Sequence, residues 1–152
     1  MSMADTLAIV LALAAQGSGR GYAPMDLPPA AAEVTIGGSS GGAVYMFADR
    51  VIDYDQAGTH VRVMGPCVSA CTLLLALPAN RICVGPRASF GFHQPFFSNK
   101  PGLATSDLGT AIMETYPSFV RQWLTSHYGG MPSGRPAFMG YDVLRRYYPT
   151  CA

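Results

Sequence analysis

The sequence alternates between short β-like runs and longer stretches of helical periodicity, and this alternation restricts the fold more than any other feature. The first unit has a strand at Val34–Ile36, a glycine-rich turn at 37–42 and a helix beyond it. The apolar residues of that helix recur with the spacing of one buried face: Val44, Phe47, Ala48, Val51 and Ile52. The chain has 152 residues, of which 49% are hydrophobic and 12% charged, enough to bury one core. We therefore predict a single domain of the α/β class.

The alternation continues beyond this first unit. The predicted elements are, in chain order, strand His60–Met64, turn Gly65-Pro66, buried helix Ser69–Leu77, strand Ile82–Val84, strand Ser89–Phe92 and a helical stretch Ser106–Tyr128. Pro78 ends the buried helix, because proline lacks the amide hydrogen that a helix interior needs. For the same reason, Pro117 predicts a break within the last helical stretch.

The N-terminal part of the chain has two interpretations. Its longest apolar run, Leu7–Ala15, has nine residues, too few to cross a bilayer as a helix but typical of the hydrophobic part of a signal peptide. The residues before it carry Asp5 and no basic group, so a first helix that docks on the core is the alternative. Residues 17–31 are rich in glycine, proline and alanine and are predicted to be a linker. We thus divide the chain into a signal and linker region, 1–32, and a domain, 33–152.

The charge pattern argues against one class of partner. Ten basic and nine acidic residues give a net charge of +1, and nine of the ten basic residues are arginines dispersed along the chain. Proteins that follow a nucleic-acid backbone instead cluster their basic side chains on one face. Nucleic acid is therefore not an expected partner.

Four cysteines, at positions 67, 71, 83 and 151, form an even set. In an oxidising compartment we expect one or two disulfides among them, whereas in a reducing one they would be small buried hydrophobic residues. Three residues separate Cys67 from Cys71, and no second Cys/His pair follows at zinc-finger distance, so no metal site is predicted. The same spacing disfavours a thiol-redox pair, which has two intervening residues.

Three positions carry candidate chemistry. Ser69 lies where a strand turns into a helix, which suits either a nucleophile or a serine that only caps its helix. The Gly41-Gly42 turn precedes another helix, and its amides either hold an oxyanion or simply form a turn. His93 ends an apolar strand and is either a half-buried structural histidine or a general base.

Taken together, the order of these motifs resembles that of the Clp-type serine peptidases (ClpP) of the crotonase-like superfamily. The segment Gly65-Pro-Cys-Val-Ser69-Ala-Cys71 is similar to the family's Gly-x-Ala-Ala-Ser-x-Gly turn. The intact motif His93-Gln94-Pro95 follows 24 residues after Ser69, as the family's His-Gln-Pro motif follows its serine. Ser39-Ser-Gly-Gly42 stands in the place of the family's Ser-Pro-Gly-Gly turn, and His127-Tyr-Gly129 is similar to its His-Thr-Gly turn.

The resemblance implies a crotonase-like domain of repeated β-α or β-β-α units, shortened at both ends, and a serine endopeptidase. Ser69 would be the nucleophile and His93 the general base. Asp142, at the family's spacing for its catalytic aspartate, would accept a hydrogen bond from His93 Nδ1. Among the competitors for this role, Asp107 is instead predicted to lie in the first turn of a helix.

The resemblance also implies which groups would form the oxyanion hole and which molecules the protein would bind. The backbone amides of Gly42 or Ala43 and of Ala70 would form the oxyanion hole. A peptide or protein substrate and a homo-oligomer are implied, and neither a cofactor nor a metal is.

This sequence departs from the family in ways that leave two questions open. Cys71 replaces the glycine two positions after the nucleophile, and the chain ends soon after Asp142. The Cys-x-Ser-Ala-Cys turn is most similar to that of Clp-like proteins predicted to be periplasmic, which implies export, with a cytoplasmic location as the alternative. An inactive binding or assembly module, in which Ser69 only caps its helix, is the alternative to a peptidase.

Overall fold

The structure, a computed structural model, describes residues 2–16, 25–95 and 106–152. Within these ranges the fold is of the mixed α/β class, as predicted. Its elements are, in chain order, α1 (Met3–Gln16), β1 (Glu33–Ile36), α2 (Val44–Ala57), β2 (His60–Val63), β3 (Pro66–Val68), a 3₁₀ segment (Ser69–Ala76), a 3₁₀ turn (Ala79–Arg81), β4 (Ile82–Val84), β5 (Ser89–Phe92), α3 (Ser106–Thr115), α4 (Ser118–Tyr128), β6 (Ala137–Gly140) and α5 (Tyr141–Leu144).

Most of the predicted elements are confirmed. The four predicted strands are present as β1, β2, β4 and β5, and a break at Pro117 separates α3 from α4. The buried helix after Ser69 is present as a 3₁₀ segment. Two strands, β3 and β6, were not predicted. β3 begins with Pro66, which indicated a turn, and β6 has no β-branched residue and ends with Gly140.

The strands form two small sheets. In the first, the order is β1-β2-β4 and all strands are parallel. In the second, the order is β3-β5-β6, with β3 parallel and β6 antiparallel to β5. Since β3 and β5 are parallel, the residues that follow them emerge at the same edge of the sheet.

The first helix, α1, is docked on the domain. It packs against α2 and α3, and Leu7, Val10 and Ala14 are buried in the common core. This arrangement matches the second interpretation of the N-terminal segment, a helix that contacts the core. No helix in the described ranges is both long and apolar enough to span a bilayer.

The segment that precedes β1 is fixed to the domain, although its composition predicted a linker. Leu27 is buried, and the Tyr54 hydroxyl donates a 2.5 Å hydrogen bond to the Pro28 carbonyl. Further along, the Thr59 hydroxyl donates a 2.6 Å hydrogen bond to the Ala31 carbonyl. Pro28 and Pro29 disfavour a regular element here, but the backbone carbonyls can still accept hydrogen bonds. Residues 17–24 of the predicted linker lie outside the described ranges.

All four cysteines are paired. Cys67 is bonded to Cys71 across the start of the 3₁₀ segment, and Cys83 is bonded to Cys151. The second disulfide fastens the C-terminal residues to β4, where the Cys151 amide also donates a hydrogen bond to the Val84 carbonyl. The cysteines are therefore not free to act as metal ligands in this structure.

The two disulfides are expected to differ in how much they stabilise the fold. They close loops with sequence separations of 68 and 4 residues. Loop-closure entropy predicts about 4 kcal/mol for the bond Cys83–Cys151 and about 2 kcal/mol for Cys67–Cys71. Two variants that each keep one disulfide test this: Cys67→Ala/Cys71→Ala keeps Cys83–Cys151, and Cys83→Ala/Cys151→Ala keeps Cys67–Cys71. For each, the free energy of unfolding in urea is measured with and without reductant. A larger effect of reductant on the variant that keeps only Cys67–Cys71 would contradict the prediction.

Candidate active site

Ser69 occupies a sharp turn between β3 and the 3₁₀ segment. Its φ of 58° makes it the one residue other than glycine with positive φ in the described part of the chain. A left-handed conformation costs an L-residue roughly 1–2 kcal/mol, so it is adopted where the surrounding structure enforces it. A serine on a strained strand-to-helix turn is the arrangement of a nucleophile elbow.

The Ser69 side chain does not cap the 3₁₀ segment. Val68 occupies the cap position, and no side-chain cap bond is formed. Among the described residues, Ser69 Oγ has no hydrogen-bond partner. The capping interpretation therefore does not account for a hydroxyl at this position.

A disulfide and a side-chain hydrogen bond hold the backbone around Ser69 in place. The disulfide Cys67–Cys71 connects the residues on either side of Ser69, and both of its cysteines are fully buried. The Thr72 hydroxyl donates a 2.6 Å hydrogen bond to the Ser69 carbonyl. Because this uses the only hydrogen of that hydroxyl, Tyr116, 2.6 Å from Thr72 Oγ1, must be the donor between the two side chains. Burial raises the pKa of Tyr116, which keeps its phenol protonated for that bond.

The glycine-rich turn packs directly on the elbow. A Cβ atom on Gly41 would lie 2.7 Å from the Val68 carbonyl oxygen and 2.8 Å from Ser69 Cβ. Gly41 also has a φ of 88°, which favours glycine. Both the contact and the backbone conformation therefore require a glycine here.

Ser39 anchors this turn to β3. Its amide donates a 2.8 Å hydrogen bond to the Pro66 carbonyl, and its carbonyl accepts a 2.9 Å bond from the Val68 amide. Its buried hydroxyl donates a 2.8 Å bond to Asp26 Oδ1. The two backbone bonds form an isolated parallel bridge between Ser39 and Cys67, which holds the turn beside β3.

The predicted oxyanion donors lie at the two helix starts that meet here. Gly42 and Ala43 follow Gly41 and precede α2, and their amides donate no hydrogen bond to a described residue. Ala70 follows Ser69, and its amide nitrogen would be 3.0 Å from a Cβ on Gly41. The structure therefore brings these amides to the same place as Ser69.

His93 emerges beside Ser69. Val68 of β3 pairs with Gly91 of β5, so Ser69 comes one residue after this pair and His93 two residues after it. Neighbouring strands are about 4.8 Å apart, so the two residues lie at the same sheet edge. His93 Nδ1 is 2.7 Å from the backbone carbonyl oxygen of Gln94.

Asp142 does not form the hydrogen bond that was predicted with His93. Its side chain is 87% exposed and pairs with Arg145 at 3.5 Å. The reason is the direction of β6: Gly140, at its end, pairs with Ser89, at the beginning of β5. Asp142 follows Gly140 and hence lies near the opposite end of β5 from His93. Four residues separate His93 from Ser89, about 13 Å along the strand.

The remaining motif residues have structural roles. Arg81 donates hydrogen bonds to the carbonyls of Thr59 and Tyr54 and pairs with Asp55 at 3.4 Å. His127 is exposed, and its Nδ1 lies 2.9 Å from the Trp123 carbonyl. Thr72 was missed, although a threonine inside an otherwise apolar run is a signal for a buried polar contact.

The sequence matches no protein-family model and is not significantly similar to any curated protein. The resemblance to the Clp-type peptidases therefore rests on the motifs themselves.

The contact between the glycine turn and the elbow can be tested by stability. Gly41→Ala is expected to lower the free energy of unfolding by about 1 to 2 kcal/mol through its positive φ, and by about 1 to 3 kcal/mol more through overpacking against Val68 and Ser69. Gly58→Ala is the matched control, since Gly58 has a φ of 68° and nothing within 4 Å of its Cβ position. The free energy of unfolding in urea is measured for both variants. Equal losses would show that Gly41 is not packed tightly against Val68 and Ser69.

Proposed function

We propose that this protein is a serine hydrolase of the Clp-peptidase type on a crotonase-like domain, acting on peptides or proteins. The observation that carries the proposal is the left-handed Ser69 at the end of β3, beside the end of the parallel strand that carries His93. A hydroxyl with no partner at such a turn is available to attack a bound carbonyl group. The Gly41-Gly42 turn against it supports the same chemistry.

The reaction is an acyl transfer in two steps. Ser69 Oγ attacks the carbonyl carbon of the peptide bond while His93 Nε2 takes the hydroxyl proton. The amides of Ala70 and of Gly42 or Ala43 donate to the oxyanion, and each such donor contributes on the order of 3 kcal/mol. The C–N bond then breaks, and His93 gives its proton to the leaving amine. Water, deprotonated by His93, hydrolyses the acyl ester and restores Ser69.

A binding or assembly module without hydrolysis is the second candidate. The position of Asp142 favours it, since this carboxylate pairs with Arg145 on the surface and makes no bond with His93. On that hypothesis the glycine turn and the elbow form a groove that holds a peptide without cleaving it. The two candidates differ in whether Ser69 reacts.

A fluorophosphonate probe, which phosphonylates activated serines with loss of fluoride, separates the two candidates. We expect the parent protein to be labelled and Ser69→Ala to lose labelling, with kcat for peptide hydrolysis reduced by up to ~10⁶. The thermal midpoint should hardly change, because Ser69 Oγ makes no hydrogen bond to a described residue. Ser126→Ala, at an exposed serine of α4, is the control and should be labelled like the parent.

Equal labelling of the parent and of Ser69→Ala would remove Ser69 from the active site. A parent protein that is neither labelled nor hydrolytic, but that binds peptides, would support the module.

We further propose that the protein is exported to an oxidising compartment such as the periplasm. The two disulfides support this, because such bonds persist outside the reducing cytosol. Protein from its native source should show no alkylatable thiol after denaturation. The N-terminus found by mass spectrometry then distinguishes a signal peptide, removed so that the chain begins between Ala15 and Pro24, from a first helix that is kept and packs on α2 and α3. An intact N-terminus with four free thiols would contradict export and favour the cytoplasm.

A further inference from the structure

We propose that the backbone carbonyl of Gln94 takes the place of the triad acid, and that the Gln94 side chain is the positioning group that fixes this carbonyl. The inference rests on the proposed function, since it concerns how His93 is prepared to act as the base. It replaces Asp142, whose carboxylate lies near the other end of β5.

The tautomer of His93 follows from the chemistry of its partner. The Gln94 carbonyl oxygen, 2.7 Å from Nδ1, can only accept a hydrogen bond. Nδ1 must therefore carry a proton, and in the neutral imidazole the lone pair is then on Nε2. This is the tautomer that a triad acid selects so that Nε2 can take the proton of the serine.

Gln94 is held on three sides. Its amide donates a 2.7 Å hydrogen bond to the Pro132 carbonyl, and its side-chain Nε2 donates a 3.4 Å bond to the Met131 carbonyl. Both carbonyls belong to the segment between α4 and β6. The third side is α3, where the Gln94 side chain is packed against Gly109.

The contact with Gly109 is the tightest of the three. A Cβ atom on Gly109 would lie 2.3 Å from Gln94 Oε1, and this oxygen is buried without a hydrogen-bond partner among the described residues. A buried amide oxygen with no partner is unfavourable, so the position is not explained by stability alone. The position is explained if the Gln94 side chain, packed between α3 and the Met131 carbonyl, serves to keep the Gln94 backbone in place.

The first experiment reads the tautomer directly. Nitrogen-15 NMR of the imidazole, recorded well above the ordinary histidine pKa of about 6.5, distinguishes a protonated Nδ1 from a protonated Nε2. We expect a protonated Nδ1 at His93 in the parent protein and in Asp142→Asn. In Gly109→Ala, whose new methyl group displaces the Gln94 side chain, the protonated-Nε2 form should appear. The spectrum of His93→Ala identifies the signal among those of the three histidines.

The second experiment is kinetic and uses a double-mutant cycle. Gln94→Ala and Gly109→Ala should each lower kcat by up to ~10² with little change in KM, the scale of a misplaced catalytic group. The double variant should be no slower than Gln94→Ala, because the new methyl group fills the space that the glutamine leaves. Gly134→Ala is the control, as nothing lies within 4 Å of its Cβ position. Asp142→Asn should keep kcat within about twofold, whereas loss of a true triad acid costs ~10⁴.

The outcomes separate this inference from the proposed function. A protonated Nε2 at His93 in the parent protein, additive losses in the cycle or a ~10⁴-fold loss in Asp142→Asn would overturn the role of Gln94. Labelling that persists in Ser69→Ala would overturn the proposed function instead, and the NMR result would still stand.

Discussion

The left-handed conformation of Ser69 is the constraint on which the candidate site depends. With a φ of 58°, this residue turns the chain from β3 directly into the 3₁₀ segment and leaves its hydroxyl free of the cap position. The conformation costs roughly 1–2 kcal/mol. The short-loop disulfide, the hydroxyl bond from Thr72 and the packing of Gly41 all act on the same few backbone atoms and offset this cost. Backbone strain of this kind clusters at functional sites, which is why it supports the proposal that Ser69 is reactive.

The direction of the strands decides which side chains meet Ser69. Because β3 and β5 are parallel and paired in register, the residues after them share an edge, and His93 arrives beside the elbow. Because β6 is antiparallel, the residues after it arrive at the opposite edge. The carboxylate of Asp142 therefore lies at the surface. The residues that accept hydrogen bonds from Gln94, Met131 and Pro132, precede β6 instead. The topology thus separates Asp142 from His93, whose Nδ1 lies instead beside the carbonyl of the next residue, Gln94.

Local features of the sequence were sufficient to predict the α/β class and most of the helices and strands in the described ranges. Apolar periodicity located α2 and four of the strands, and turn residues located the elbow and the break at Pro117. The role of Asp142 was predicted from spacing, which cannot register a four-residue strand that reverses the direction of the chain. The disulfide partners and the Thr72–Tyr116 bond join residues through tertiary packing, so no local pattern could specify them. The composition of the segment before β1 predicted a linker, and it does lack regular structure. Composition does not predict tertiary contacts, however, and this segment is bonded to Tyr54 and Thr59.

A carbonyl in place of a carboxylate retains one part of the acid's contribution and gives up the other. A triad acid fixes the tautomer of the imidazole and also stabilises the positive charge that forms on it during attack. The Gln94 carbonyl can perform the first task fully, but as a neutral dipole it performs the second only in part. It also avoids the cost of burying an ionised carboxylate beside the histidine, which such a small domain would have to offset with further hydrogen bonds. In triad enzymes from which one catalytic residue has been removed, the oxyanion donors and substrate binding alone still accelerate the reaction ~10³–10⁴-fold over the rate in water. If the proposed function is correct, a serine and a histidine oriented by the main chain would therefore be sufficient for slow hydrolysis.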